Sequence, residues 1–189
     1  MLTAILILLG VVFGLMLITA IALILLYNNL VSQRTLVNEG WSGIDVQLRR
    51  RFNLVENLVT TVKGYASHET DVLEQITSLR TALHRDDPVE RQRAEAQVSG
   101  ALANVLALAE DYPDLKADTN YLHLQTELSD IEDHIQKSRR YYNGCVRDYN
   151  TSCETFPAVL IAPGLGFNPA VFFELDHEAE RDLPNVDFS

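Results

Sequence analysis

The chain opens on an unbroken apolar run. From Leu2 to Leu26 there is no charged residue, and most positions are Leu, Ile or Val. As a helix rising about 1.5 Å per residue, this run covers about 37 Å, enough to cross a hydrocarbon core of about 30 Å with some tilt. Beyond it the spacing of apolar positions changes. Leu30, Val37, Trp41, Ile44, Leu48, Val55, Leu58, Val62 and Tyr65 recur at alternating intervals of three and four, with Arg34 and Arg51 interrupting the stripe. That is the repeat of a long helix packed in a bundle or coiled coil. The same repeat returns in Tyr121, Leu124, Leu128, Ile131, Ile135, Ser138, Tyr142, Val146 and Tyr149.

Punctuation between these stripes predicts two shorter helices. Ser67-His68-Glu69 marks a cap or a straight continuation, and a helix is expected near 69–84. Asp86-Asp87-Pro88 is a stop followed by a restart with proline at the first helical position. The helix after it is alanine-rich, with Leu102, Val105, Leu106 and Ala109 as its apolar face. Asp111-Tyr112-Pro113-Asp114 closes it, and a long helix near 115–153 follows. No strand-like alternation occurs. The pattern therefore predicts an all-α fold: an N-terminal transmembrane helix, then an elongated antiparallel bundle of long helices, then an irregular C-terminal strap. The domain division expected is 1–27 anchor, 28–155 helical bundle, and 156–189 strap and acidic tail. The strap holds Pro157, Pro163 and Pro169, so it is not one helix. It is nonetheless very apolar, and suits either a segment folded back on the bundle or a docking segment for a neighbouring subunit or a membrane surface.

A signal peptide is the competing interpretation of the first residues, with Ala20-Ile21-Ala22 resembling a cleavage site. There is no basic segment before the run, however, and Leu23-Ile24-Leu25-Leu26 extends it past that site. An uncleaved single-pass anchor is expected. Arg34, Arg49, Arg50 and Arg51 all follow the span, which by the positive-inside bias puts the C-terminal domain in the cytoplasm.

Charge and composition narrow the partners. A net charge of −11 and a pI near 4.8 leave no basic face for phosphates, so nucleic acid is excluded as an expected partner. Cys145 and Cys153 match neither a zinc nor a redox pattern, and eight residues apart on one helix they lie about 12 Å apart along the axis, beyond disulfide reach.

Catalytic chemistry leaves recognisable residue patterns. A di-iron site in a bundle needs two Glu-x-x-His pairs. Only His177 has a glutamate three residues before it, whereas His68, His84, His123 and His134 do not. There is no His-Glu-x-x-His, no Gly-x-Ser-x-Gly and no phosphate-binding loop. No catalytic residue, cofactor or metal ligand is expected. The candidate interaction residues are the basic cluster Arg49, Arg50 and Arg51 and the strap residues Phe156, Leu160, Phe167, Phe172 and Phe173. The arginines suit an acidic partner or a solvated helix face, with Asp45 four residues before Arg49. Asn53 and Asn57 are candidate register-setting polar contacts, and Trp41, Tyr141 and Tyr142 core or core-edge aromatics.

Several blocks together resemble the LemA family of bacterial membranes. They are Tyr27-Asn28-Asn29-Leu30-Val31, residues 41–51 and 57–66, Tyr112-Pro113-Asp114-Leu115-Lys116-Ala117, and Ser138-Arg139-Arg140-Tyr141-Tyr142-Asn143. Tyr149-Asn150, Phe156-Pro157, Gly166-Phe167, Phe172-Phe173-Glu174 and Pro184-Asn185-Val186-Asp187-Phe188 complete the set. The resemblance implies a membrane-anchored antiparallel bundle and no particular chemistry. It also implies association with cell-envelope stress, with genomic neighbourhoods of membrane zinc metalloproteases and, in some bacteria, with internal membrane organelles. The function expected is a non-enzymatic, self-associating scaffold or adaptor at the bacterial cytoplasmic (inner) membrane. Its partners are the lipid bilayer through the span, further copies of itself, and a membrane protease or other envelope protein. The alternatives are an accessory subunit of a membrane metalloprotease system and an enzyme with an unrecognised carboxylate-metal site.

Overall fold

The computed structural model describes residues 1–66 and 88–173, and all regular structure within them is helical. The helices are α1 Leu2–Lys63, α2 Pro88–Ala109, the single turn α3 Pro113–Lys116, and α4 Thr119–Glu154. Short 3-10 turns at Ala158–Leu160 and Pro163–Leu165 follow. The fold is all-α, as the apolar spacing predicts. The helix expected near 69–84, its cap, the Asp86-Asp87 stop and the acidic tail lie outside the described residues.

The apolar run and the first bundle stripe form one helix of 62 residues. No proline occurs before Pro88, so no residue removes an internal hydrogen bond. The helix ends at Gly64, where Tyr65 N–H and Ala66 N–H both donate to the carbonyl of Val62 (3.0 and 2.8 Å). Lys63 in the last turn complements the negative end of the helix dipole.

The chain divides into two compact units. The first comprises Met1–Trp41 and Tyr141–Val171. In it the most apolar stretch of α1 is long and apolar enough to cross a membrane and is 0% buried, unlike the core helix of a soluble protein. Burial starts at Leu30, 1% exposed, and continues through Val37 and Gly40. In the same unit Tyr142, Cys145, Val146, Tyr149 and Cys153 of α4 are buried, both cysteines being free. The helices are antiparallel and close: a Cβ added to Gly40 would lie 3.1 Å from the Cα of Tyr142. Trp41 packs beside it, its ring 5.6 Å from that of Tyr142, whereas Tyr141 faces outward at 54% exposure.

The second unit comprises Ser42–Arg140 with Phe172 onward. Here, among the described residues, α1 meets both α2 and α4, and its apolar face is wider. Ile44, Leu48, Val55, Leu58 and Val62 are buried as the stripe predicts, and Phe52 and Val59 form a second row. The face of α2 centres on Val98, Ala101, Val105 and Ala109, with Leu102 and Leu106 half-buried at its edge. Tyr65, placed on the stripe by its spacing, instead lies on the surface, because the helix has already turned at Gly64. Its hydroxyl donates to Asp118 Oδ2 at 2.9 Å, and Ala66 fills the core position. Asp118 also caps α4, its Oδ1 accepting from the N–H groups of Asn120 (2.8 Å) and Tyr121 (3.0 Å). The Tyr121 N–H and then the Tyr65 hydroxyl hold its carboxyl below the usual range. That cap explains why α4 starts at Thr119 and not near 115. Asn53 and Asn57 are both exposed, so neither is buried in the seam.

The close approach at Gly40 makes a paired prediction. Gly43 has nothing within 4 Å of an added Cβ, so Gly43→Ala gains helix propensity, about 1 kcal/mol, without a clash. Gly40→Ala meets the backbone of Tyr142, and overpacking should outweigh that gain for a net loss of about 1 kcal/mol. Thermal unfolding followed by circular dichroism checks this: one midpoint should rise and the other fall.

Candidate functional site

The strap is built onto the first unit by its backbone. After Glu154 the Phe156-Pro157 peptide is cis, and two 3-10 turns bring the chain to Gly166 at φ 78°, a left-handed conformation that suits glycine. Phe167 N–H then closes the reversal onto the carbonyl of Ala162 at 3.0 Å. Phe167 is 1% exposed, edge-on to the Tyr27 ring at 5.6 Å, with the Arg34 guanidinium 4.8 Å from its centre. Three side chains of α4 satisfy the strap's backbone. Tyr149 hydroxyl donates to Asn168 O (3.0 Å) and Tyr142 hydroxyl to Val171 O (2.8 Å). Asn150 Nδ2 donates to Ala170 O (2.9 Å), and its Oδ1 accepts from Ala170 N–H (2.8 Å). Burial raises the Tyr142 hydroxyl, and burial followed by the neighbouring Cys153 pushes Tyr149 up to about 12, so both remain protonated donors at neutral pH.

The strap thus has two faces. Ala158, Ala162 and Phe167 are buried, while Phe156 (80% exposed), Leu160 (73%) and Leu165 lie outside. Between the strap and α1 runs an apolar groove of about 530 Å³, with Leu23, Ile24 and Tyr27 on one wall and Leu160, Ile161 and Leu165 on the other. In the second unit Phe172 is exposed, and Phe173 is buried under the guanidinium of Arg139, 4.7 Å from its ring centre.

Consecutive residues on a helix point about 100° apart, so Arg49, Arg50 and Arg51 do not act as one patch. Arg49 Nε pairs with Asp45 Oδ2 at 2.9 Å, as the four-residue spacing predicts. Arg50 Nη2 pairs with Glu127 Oε2 of α4 at 3.1 Å. Arg51 turns inward and is 6% exposed. Its Nη1 binds the Glu95 carboxylate of α2 and lies 3.5 Å from Glu132 Oε2 of α4, and its Nη2 donates to Ser99 Oγ at 3.0 Å. Arg139, also buried, completes a group of two guanidiniums and two carboxylates that joins α1, α2 and α4, with Glu95 inside and Glu132 half-exposed at its edge. Burial pushes the Glu95 carboxyl up, and Arg51 and then Arg139 pull it back without cancelling the shift. Burial also lowers Arg139, opposed by Glu95 and Glu132. The arrangement is a charge-balanced clasp. Among the described residues no three His, Cys, Asp or Glu side chains gather into a metal-ligand set. Glu95, Ser99, Glu132 and Arg139 were not singled out from sequence. The signal was a charged residue inside an apolar stripe, Arg139 falling four residues after Ile135 and three before Tyr142.

Removing one member of a buried pair strands the other, so Arg51→Met should cost about 3 kcal/mol at neutral pH, and Arg51→Met with Glu95→Met should recover most of it. Urea unfolding of the four proteins of this cycle measures the coupling directly. The pH dependence follows from Glu95, whose folded value lies above its ordinary 4.5. Its proton favours the folded state fully below 4.5, and that contribution is lost as pH rises through the raised folded value. Glu95→Gln stays neutral, so its stability relative to the native chain should improve from acid pH to neutrality.

Comparison with known proteins places these features in a family. The LemA family matches residues 40–188. Protein LemA of Metamycoplasma hominis is 31% identical over 151 residues, 77% of this chain and 68% of the relative. Magnetosome protein MamQ 2 of Paramagnetospirillum magneticum is 24% identical over 179 residues, 80% of this chain and 66% of the relative. Magnetosome protein MamQ of Magnetospirillum gryphiswaldense is 24% identical over 183 residues, 80% of this chain and 65% of the relative. The chain therefore spans about two thirds of the length of the relatives it matches. With a helix of membrane-spanning length, a helical bundle and a family match from Gly40 to Phe188, the chain belongs to the LemA family.

Proposed function

We propose that this chain is a non-enzymatic, single-span protein of a bacterial cytoplasmic membrane that self-associates as a scaffold or adaptor, with its C-terminal domain in the cytoplasm. One observation carries this proposal: the apolar span and the first helix of the bundle are the same helix, Leu2–Lys63. An unbroken helix suits a part that carries the bundle directly from the bilayer, since no linker interrupts its backbone ladder. Further support comes from charged and polar side chains that are engaged within the chain. Arg49, Arg50 and Arg51 all have partners within the chain, and the tyrosines of α4 hold the strap. Relatives named as magnetosome proteins fit a role at a membrane for this chain. The cytoplasmic orientation rests on Arg34 and Arg49–Arg51 following the span.

Large apolar side chains left on the surface, among them Val46 (60% exposed) and Leu122 (48%), offer area for contacts between copies. Light scattering of the full chain in nanodiscs or mild detergent should therefore show a particle of several copies over a range of concentrations. A single copy throughout contradicts self-association. A single copy that co-purifies with a membrane protease would replace the scaffold with the accessory-subunit alternative.

A further inference from the structure

We propose that the strap is a second membrane contact: its outer face, Phe156, Leu160 and Leu165, lies in the bilayer leaflet from which α1 emerges, and lipid acyl chains fill the groove beside the span. The proposal rests on α1 crossing the membrane, and depth is its main argument. A helix that crosses with Leu2 to Leu26 places Leu23 and Ile24 at the edge of the hydrocarbon and Tyr27 among the headgroups, where amphipathic aromatic rings collect. Leu160, Ile161 and Leu165 form the opposite wall of a groove whose near wall is Leu23, Ile24 and Tyr27. Residues facing one another across a groove share a depth, so the strap sits at the boundary of hydrocarbon and headgroup.

The chemistry of the strap fits that level. Between Glu154 and Glu174 the chain carries no charged residue. Its outward side chains are large and apolar, with Phe156 80% and Leu160 73% exposed. Backbone groups near lipid need internal partners, and the turns of the strap supply a set of them. The 3-10 turns bond Leu160 N–H to Pro157 O (3.2 Å), Ile161 N–H to Ala158 O (2.9 Å) and Gly166 N–H to Pro163 O (3.1 Å). With three prolines and a left-handed Gly166 the segment cannot span as a helix, so it lies in the interface. It is also held in place: Phe167 is wedged against Tyr27, and Tyr142, Tyr149 and Asn150 bind the backbone beyond it. The span and the strap then grip one leaflet at two points, which fixes both the rotation of α1 about its axis and its tilt.

Depth-dependent fluorescence quenching tests this on the full chain. Trp41 is the only tryptophan, so a Trp41→Phe background carries either Leu160→Trp or Val12→Trp as the reporter. Each protein is placed in nanodiscs of phosphatidylcholine brominated near the headgroup end or near the middle of its acyl chains, with circular dichroism confirming helicity. Leu160→Trp should emit to the blue, lose at least half its intensity to the bromines near the headgroup, and resist acrylamide. Quenching by acrylamide and not by bromine would place the strap in water and overturn the proposal. Resistance to both would show a protein covering the groove, a second copy included, and would overturn it equally. Val12→Trp separates the two levels of the argument. If mid-chain bromines quench it while Leu160→Trp is untouched, the span stands and the strap contact falls. If they do not, both fall. Should Leu160→Trp lose helicity, Phe156→Trp reports the same face with one aromatic ring exchanged for another.

Discussion

An apolar segment in hydrocarbon has no water to bond its backbone, so its N–H and C=O groups must pair within the segment, and a helix does this. What matters here is that nothing ends the helix at the membrane surface. The polar residues after Leu26 change the environment of the side chains but leave the backbone ladder intact, and α1 continues to Lys63. Everything that packs on its early turns is placed relative to the apolar run. Phe167 against Tyr27, the groove beside Ile24 and the approach of α4 at Gly40 are all set by this continuity.

The two units use different chemistry to hold their parts. In the first, α1 and α4 pack as a pair, and the strap is attached by hydrogen bonds from two tyrosines and an asparagine to backbone carbonyls. Such bonds specify position because each donor would otherwise be buried without a partner. In the second, three helices meet around charged groups. A buried arginine paired with glutamate contributes little net stability compared with apolar residues of the same size, but it penalises any arrangement that separates them. Arg51, Glu95, Glu132 and Arg139 thus act on which helices meet and in what register.

Periodicity made the helices legible because burial of one face at a time leaves a repeat that no other structure produces. It found α1 and α4 and most of their core positions, including Ile44, Leu48, Val55, Ile131 and Ile135. It failed where a decision depends on a third element. Arg51 reads as an interruption of the stripe, since its partner Glu95 lies on a helix whose placement no spacing reveals. Phe52 and Val59 are core as well, a second buried row that the single stripe does not predict. The strap shows the same limit, for composition marks it as apolar throughout, and only the reversal at Gly166 decides that Phe167 turns inward while Leu160 turns outward. The resemblance legible in the sequence lies in short motifs spread along the chain, and one of them, Tyr149-Asn150, proves to fasten the strap.

The continuity of α1 through the membrane surface is the claim on which the rest depends. Amide hydrogen exchange of the full chain in nanodiscs, read by mass spectrometry over residues 25–40, addresses it directly. The account predicts slow exchange across the whole stretch, with no gap between the protection of the span and that of the bundle. Rapid exchange between Tyr27 and Leu36, with protection on either side, would mean a flexible linker and would contradict it.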